Sequence, residues 1–328
     1  MASSDQYTLI AGKEVTEHYN HVLDLIKKNQ ATILGKFLND EIFSSIDIDR
    51  WAEEFLNKII SNKNLIQVVL FDQSAVLRGA LFINRSDWDS EHFDLCIGKV
   101  QLLVFDKAAL TQRKATIRRG FQEAKTRGYE LIISRIPLAN YLTIQALELS
   151  GAFLTDTMLT YRVDKSENER PPQHPSNVRF EVASSKEGPE LGMLAQDIFK
   201  IDHFHADPNL DESKGDELYA KWTINSVHGL ADHVVLARLD STIVGFITCK
   251  IENFTGCFYG VIDLIGVSKE QRQSGIGSLL VKESLEWFSD KVHTVYVGTQ
   301  ARNVGAIRLY EKNGFKLVSS EATFHVWL

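Results

Sequence analysis

The sequence predicts an α+β protein built from two tandem domains. Three observations carry this: a globular composition over 328 residues, a proline-rich break near the middle, and a similar order of strands and helices on both sides of it. Hydrophobic residues make up 44% and charged residues 24%, which suits about two domains of ~150 residues each, each with its own core. The 36 Lys and Arg stand against 43 Asp and Glu, a net charge of −7. With no basic run, this balance excludes nucleic acid as the main partner. Cys96, Cys249 and Cys257 are odd in number and lack metal-ligand spacing, so neither a disulfide framework nor a zinc site is expected. The first thirty residues are polar and mixed in charge, and no apolar run approaches ~18 residues. A cytoplasmic chain without a membrane partner is the expectation.

The break is Asp164–Asn177, which holds Pro171, Pro172 and Pro175 among charged and amide residues. Prolines cannot donate to a strand ladder, so the stretch reads as a linker between domains at 1–163 and 178–328. After it, strands are expected at Val178–Ala183, Val234–Leu239, Thr242–Ile251, Phe258–Val267 and Val292–Val297, with a closing strand at Thr323–Leu328. Asp240-Ser241 joins two β-rich runs as a hairpin turn. Helices are expected at Gly188–Lys200 and Asp216–Val227, through Ile276, Leu279, Leu280 and Trp287, and at Val304–Lys312, stopped by Gly314. The first half gives helices within Val15–Leu38 and at Asp49–Ile60, Ala108–Arg127 and Leu142–Leu149. Its strands are expected at Leu65–Phe71, Val76–Ile83, Ile97–Phe105, Leu131–Ser134 and Met158–Val163. From about Thr111 onward the halves align without gaps at an offset of 163, which puts Asn140 on Asn303 and Gly151 on Gly314.

The segment Val267–Leu280 (VSKEQRQSGIGSLL) follows a strand and opens an amphipathic helix. A Gly-x-Gly turn there lets successive backbone N–H groups converge on an anion, helped by the positive end of the helix dipole. A dinucleotide-binding reading fits badly, because the third glycine and the acidic residue ~20 positions on are missing. Arg272-Gln273-Ser274-Gly275-Ile276-Gly277 resembles the first signature of the GNAT acyltransferases. The stretch from Asn303 through Ala306 and Tyr310 to Gly314-Phe315 resembles the second, at its usual distance.

The resemblance implies two GNAT folds with a mixed sheet flanked by helices. It also implies acyl-coenzyme A as donor, with no metal. Arg272 to Ser278 would cradle the pyrophosphate, and Leu264, Ile265, Gly266 and Val267 would pair with the pantetheine arm. Asn303 would touch that arm or cap its helix. A backbone N–H near Gly266 would stabilise the oxyanion. Tyr310 matches a tyrosine placed by the thioester sulfur, where a phenol can protonate the departing thiolate; a core aromatic is the other reading.

His203-Phe204-His205-Ala206-Asp207-Pro208, with Tyr219 and Trp222 beyond it, resembles the acceptor side of bacterial dTDP-amino-sugar N-acyltransferases. Trp88–Phe93 resembles that group's N-terminal region, and residues 1–85 are extra relative to its shortest members. The implied acceptor is the amine of a nucleotide-linked amino-dideoxy-sugar destined for surface polysaccharide, and assembly as a homo-oligomer stays open. His205 or Asp207 would lie near the amine, with His205 a candidate base. His203, Phe204, Tyr219 and Trp222 would line the sugar or base. Packing roles and metal ligation by His-x-His-x-Asp stand as alternatives. Another small amine or a peptide N-terminus is an alternative acceptor, and a non-catalytic acyl-coenzyme A binder an alternative class. In the first half, Thr111-Gln112-Arg113-Lys114 stands where Ser274-Gly275-Ile276-Gly277 stands in the second, and Leu147 replaces Tyr310. That half is expected to lack the cofactor.

Overall fold

The computed structural model describes residues 7–12, 17–34, 46–62, 64–164 and 177–328. Two compact units form: Met1–Thr155 with Glu321–Leu328, and Asp156–Ser320. The expected linker falls, apart from its ends, outside the described residues.

The first unit runs β1 (Thr8–Ala11), α1 (Tyr19–Lys28), α2 (Gln30–Leu34), α3 (Ile48–Ile60), β2 (Ile66–Phe71), β3 (Leu77–Arg85), α4 (Asp87–Phe93), β4 (Ile97–Phe105), α5 (Leu110–Thr126), β5 (Leu131–Pro137) and α6 (Tyr141–Glu148). β6 (Phe153–Asp164) then leads into the second unit. That unit adds β7 (Val178–Val182), α7 (Gly188–Ile198), α8 (Glu212–Asn225), β8 (His233–Leu239), β9 (Thr242–Phe254), β10 (Cys257–Val267), α9 (Ile276–Phe288), β11 (Thr294–Gln300) and α10 (Val304–Lys312). β12 (Lys316–Trp327) closes the chain.

In the first unit the strand order is β1-β2-β3-β4-β5-β12, antiparallel except where β4 meets β5 in parallel. In the second it is β6-β11-β10-β9-β8-β7, again with one parallel step, β10 against β11. A parallel step needs a crossover helix, and α5 and α9 supply it. Their apolar stripes cover the sheets: Ile117, Phe121 and Ala124 in the first core, Ile276, Leu280, Val281 and Phe288 in the second. β2 (IQVVLF) is buried at all six positions and is apolar at every one except Gln67.

The expected domains and the compact units differ in their closing strands. β6, from the first half of the chain, pairs with β11 from Thr294↔Asp164 to Gln300↔Met158. β12, from the second half, pairs with β5 from Glu321↔Pro137 to Trp327↔Leu131. A division by chain order assigns each closing strand to the half that encodes it, whereas pairing assigns it to the sheet it completes. β1 and α4 were not expected: β1 is four residues long, and α4 is seven and rich in Asp and Ser. α8 begins earlier than expected because Asp211 caps it, accepting from the Ser213 N–H at 2.9 Å.

Candidate active site

The second unit places Arg272–Ser278 between β10 and α9. Gly275 is the N-cap of α9 with φ 92°, and Gln273 also has positive φ (65°). A Cβ built on Gly275 would meet no atom within 4 Å, so the loop is open on that side. The first intrahelical bond runs from the Leu279 N–H to the Gly275 carbonyl (3.1 Å). The N–H groups of Ile276, Gly277 and Ser278 therefore stand at the positive end of a thirteen-residue helix without helical partners. Arg272, Gln273 and Ser274 are exposed, and the Ser274 hydroxyl donates to the Gln271 carbonyl (2.6 Å), bracing the turn. A Cβ on Gly277 would make only ordinary van der Waals contact with Leu309 of α10, at 3.4 Å. The Ser278 hydroxyl accepts from Asn313 at 3.2 Å, and Ile276 is buried in the core.

β10 pairs with β11 at only three positions, Gly260↔Val295 to Ile262↔Val297. It continues against β9 through Leu264, Ile265, Gly266 and Val267, so its other edge parts from β11 there. The parting coincides with a bulge at Asp263, between the pairs Ile262↔Cys249 and Leu264↔Thr248. Both Trp222 Nε1 (3.0 Å) and Lys250 Nζ (2.7 Å) donate to Asp263 Oδ2, and Oδ1 receives neither. Sequence reasoning missed Asp263 and Lys250. The signal was a lone carboxylate in the strand CFYGVIDLIGV. Beside it, the side of Gly266 that lacks a Cβ is filled by Ile198 (3.1 Å) and Phe246 (3.4 Å).

β11 leads to α10. Asn303 is its N-cap, with Oδ1 accepting from the Ala306 N–H (3.2 Å), so the capping reading describes its side chain. Tyr310 is buried, with its ring 6.1 Å from Tyr161 of β6 and 5.8 Å from Phe315. Burial pushes its phenol well above the usual tyrosine range, so the hydroxyl keeps its proton.

The loop at 203–208 engages its side chains in contacts within the unit. His205 cannot be a free base, because Nδ1 lies 2.5 Å from Asp202 Oδ2 and Nε2 lies 3.0 Å from Asp216 Oδ1. Burial opposes charge on the ring, but the two carboxylates outweigh it and raise the pKa. An imidazole with both nitrogens engaged by carboxylates has no free lone pair to offer an amine. Asp207 is 2% exposed and makes a turn, accepting from the N–H and the side-chain amide of Asn209, each at 3.0 Å. It is therefore a loop-shaping residue. Phe204 is buried with its ring 3.9 Å from that of His203. Tyr219 is also buried, stacked on Phe199 (4.8 Å, 17°) and beside Trp222 (6.0 Å, 17°). Packing, not an open sugar-binding face, describes Tyr219; half-buried Trp222 instead holds Asp263. His203, His205 and Asp207 form no metal site, and no cluster of three or more His, Cys, Asp or Glu suited to a metal occurs among the described residues.

Comparison with known proteins agrees with this geometry. Residues 196–315 match the acetyltransferase (GNAT) family. The chain is 24% identical over 262 residues to the spore coat polysaccharide biosynthesis protein SpsD of Bacillus subtilis (strain 168), covering 79% of this chain and 86% of that one. A GCN5-related N-acetyltransferase from Sphaerobacter thermophilus superposes with a TM-score of 0.65 at 14% identity, over 97% of this chain and 95% of that one. A tandem GNAT protein from the clavulanic acid biosynthesis pathway superposes with a TM-score of 0.60 at 12% identity, over 98% of both. The fold is the GNAT fold, with a mixed sheet flanked by helices. No described helix is long and apolar enough to cross a membrane.

Proposed function

Because residues 196–315 match the acetyltransferase (GNAT) family, we propose that the second unit moves an acyl group from acyl-coenzyme A to the amine of a nucleotide-linked amino sugar. One observation carries the reading: β10 parts from β11 next to an open helix N-terminus, in the segment that matches the family. The residues present fit coenzyme A. Ile276, Gly277 and Ser278 would hold its diphosphate through backbone N–H groups, and the free edge of β10 from Leu264 to Val267 would pair with its amides. When bound, it supplies a thioester open to direct attack by an amine. The Gly266 N–H would meet the developing oxyanion. Asp263 Oδ1 would take the amine's proton as the C–N bond forms and the nitrogen becomes more acidic, and Tyr310 would donate to the departing sulfur.

The acceptor side supports a nucleotide-linked amino sugar, whose single amine is offset by an anionic diphosphate, over a polycationic amine. Such an amine calls for unpaired carboxylates, but apart from the exposed Glu212 those of the loop and α8 have other partners. Asp216 pairs with Lys200 and His205, Glu217 with Lys221, Asp211 caps α8, and Asp207 shapes its turn. The similarity to a spore coat polysaccharide protein points the same way. The test is thiol release from acetyl-coenzyme A in the presence of dTDP- and UDP-linked amino sugars and, separately, polyamines. Turnover with a dTDP-amino sugar is expected. Turnover with polyamines alone would overturn the acceptor assignment.

A further inference from the structure

We propose that His205 is a positioning residue: it bridges the acceptor loop to α8 and, through Asp202 and Arg302, ties that wall to the start of α10. The inference rests on the reading above for what the wall faces. Its geometry stands separately.

Two carboxylates on one imidazole require both nitrogens to donate. The His205 side chain is 4% exposed and that of Asp202 2%, so the bridge is largely dry. α8 is built to close on it: a Cβ at Gly215 would come within 2.9 Å of the His205 ring. Asp202 Oδ1 also accepts from the N–H groups of Phe204 (2.7 Å) and His205 (3.1 Å), which winds the loop around the ring. The Asp202 carbonyl accepts from Arg302 Nη2 at 2.7 Å, and Arg302 immediately precedes Asn303, the cap of the helix that carries Tyr310. On the α8 side, Tyr219 lies against His205 (6.3 Å, 28°) and beside Trp222, whose indole holds Asp263. A connected path thus runs from Asp263 through the aromatic column and His205 to the base of α10.

The charged groups around the ring are Asp202, Asp216, Lys200 on Asp216, and Arg302 on the Asp202 carbonyl. Burial lowers the pKa of the ring and the two aspartates raise it by more, so the folded value lies above the ordinary ~6.5. The bridge is fully present below that ordinary value and is lost as pH rises through the folded one. Deprotonation would turn one lone pair toward a carboxylate and loosen the wall.

The test pairs NMR titration of His205 in the full chain with kinetics on acetyl-coenzyme A and a dTDP-amino sugar. The wild-type ring should remain protonated at pH 7, and acceptor KM should rise at alkaline pH. His205→Gln should raise acceptor KM by ~10–100-fold, with coenzyme A affinity within about twofold (general loosening would move both). Adding Asp216→Asn restores a neutral two-ended bridge, because the Asn amide can donate to the Gln carbonyl. This double variant should recover most of the loss at pH 7 and lose the alkaline rise. A wild-type ring titrating at or below the ordinary imidazole value, or His205→Gln with unchanged KM and pH profile, would overturn the bridge. If the wild type turns over no dTDP-amino sugar, the acceptor reading fails while the NMR titration still decides the bridge.

Discussion

The starts of α5 and α9, at Leu110 and Ile276, follow the same crossover strand in the two units, and their surroundings differ. At α5 the space around the first turn is taken up by the chain's own polar side chains. Gln112 reaches back to the Ala109 N–H (2.8 Å), and the buried Arg113 donates to the Ala108 carbonyl (3.0 Å), Thr143 Oγ1 (2.8 Å) and Asn140 Oδ1 (3.3 Å). Its guanidinium also lies over the Phe105 ring at 5.0 Å. At α9 a left-handed glycine starts the helix, and the first-turn donors stay open. Asn140 and Asn303 diverge accordingly: one receives Arg113, the other caps its own helix. A helix N-terminus has the same unmet donors in either unit. The first unit fills its surroundings with its own side chains, and the second leaves room for a ligand.

The sharpest break in the symmetry is at Tyr310 and Leu147. Tyr310→Phe keeps the ring packed against Tyr161 and Phe315 and removes only the hydroxyl. If that hydroxyl is the general acid, kcat should fall by ~10²–10⁴ with little change in coenzyme A affinity. Leu147→Met, at the aligned position, should leave kcat unchanged. Because burial raises the Tyr310 phenol, an alkaline limb below pH 10 should persist in Tyr310→Phe. A loss under about threefold would assign proton delivery to another donor.

Next in size is Gly275→Val. A β-branched residue at φ 92° carries strain of about 1–3 kcal/mol, enough to distort the loop, and acetyl-coenzyme A KM should rise by ~5–150-fold. Unchanged affinity in a folded variant would remove the glycine loop from the cofactor site. The mirror experiment is Arg113→Met. It strips a donor from the buried Thr143 hydroxyl and from the half-buried Asn140 amide, and should cost about 1–3 kcal/mol in urea unfolding. Coenzyme A affinity should not move; a drop of tenfold or more would contradict the division of labour.

This contrast was legible in the sequence because it is written in local residue types. Glycines against Gln112 and Lys114, and tyrosine against leucine, can be read without coordinates. So can the strands and helices that carry strong periodicity. The exchange of closing strands was not legible, because nothing in the residues of β6 or β12 marks which sheet each completes. Nor were the partners of His205: Asp202 precedes it by three residues, but Asp216 meets it only after the loop turns back onto α8. Asp263 was visible as a lone charge in an apolar strand. Its meaning depended on Trp222 and Lys250, 41 residues and 13 residues earlier in the chain.

Calorimetric titration of the full chain with coenzyme A tests the central contrast most directly. One molecule should bind per chain, and Gly275→Val should abolish or weaken that single event while Arg113→Met leaves it intact. Two molecules per chain, or binding that survives Gly275→Val and is lost in Arg113→Met, would contradict it.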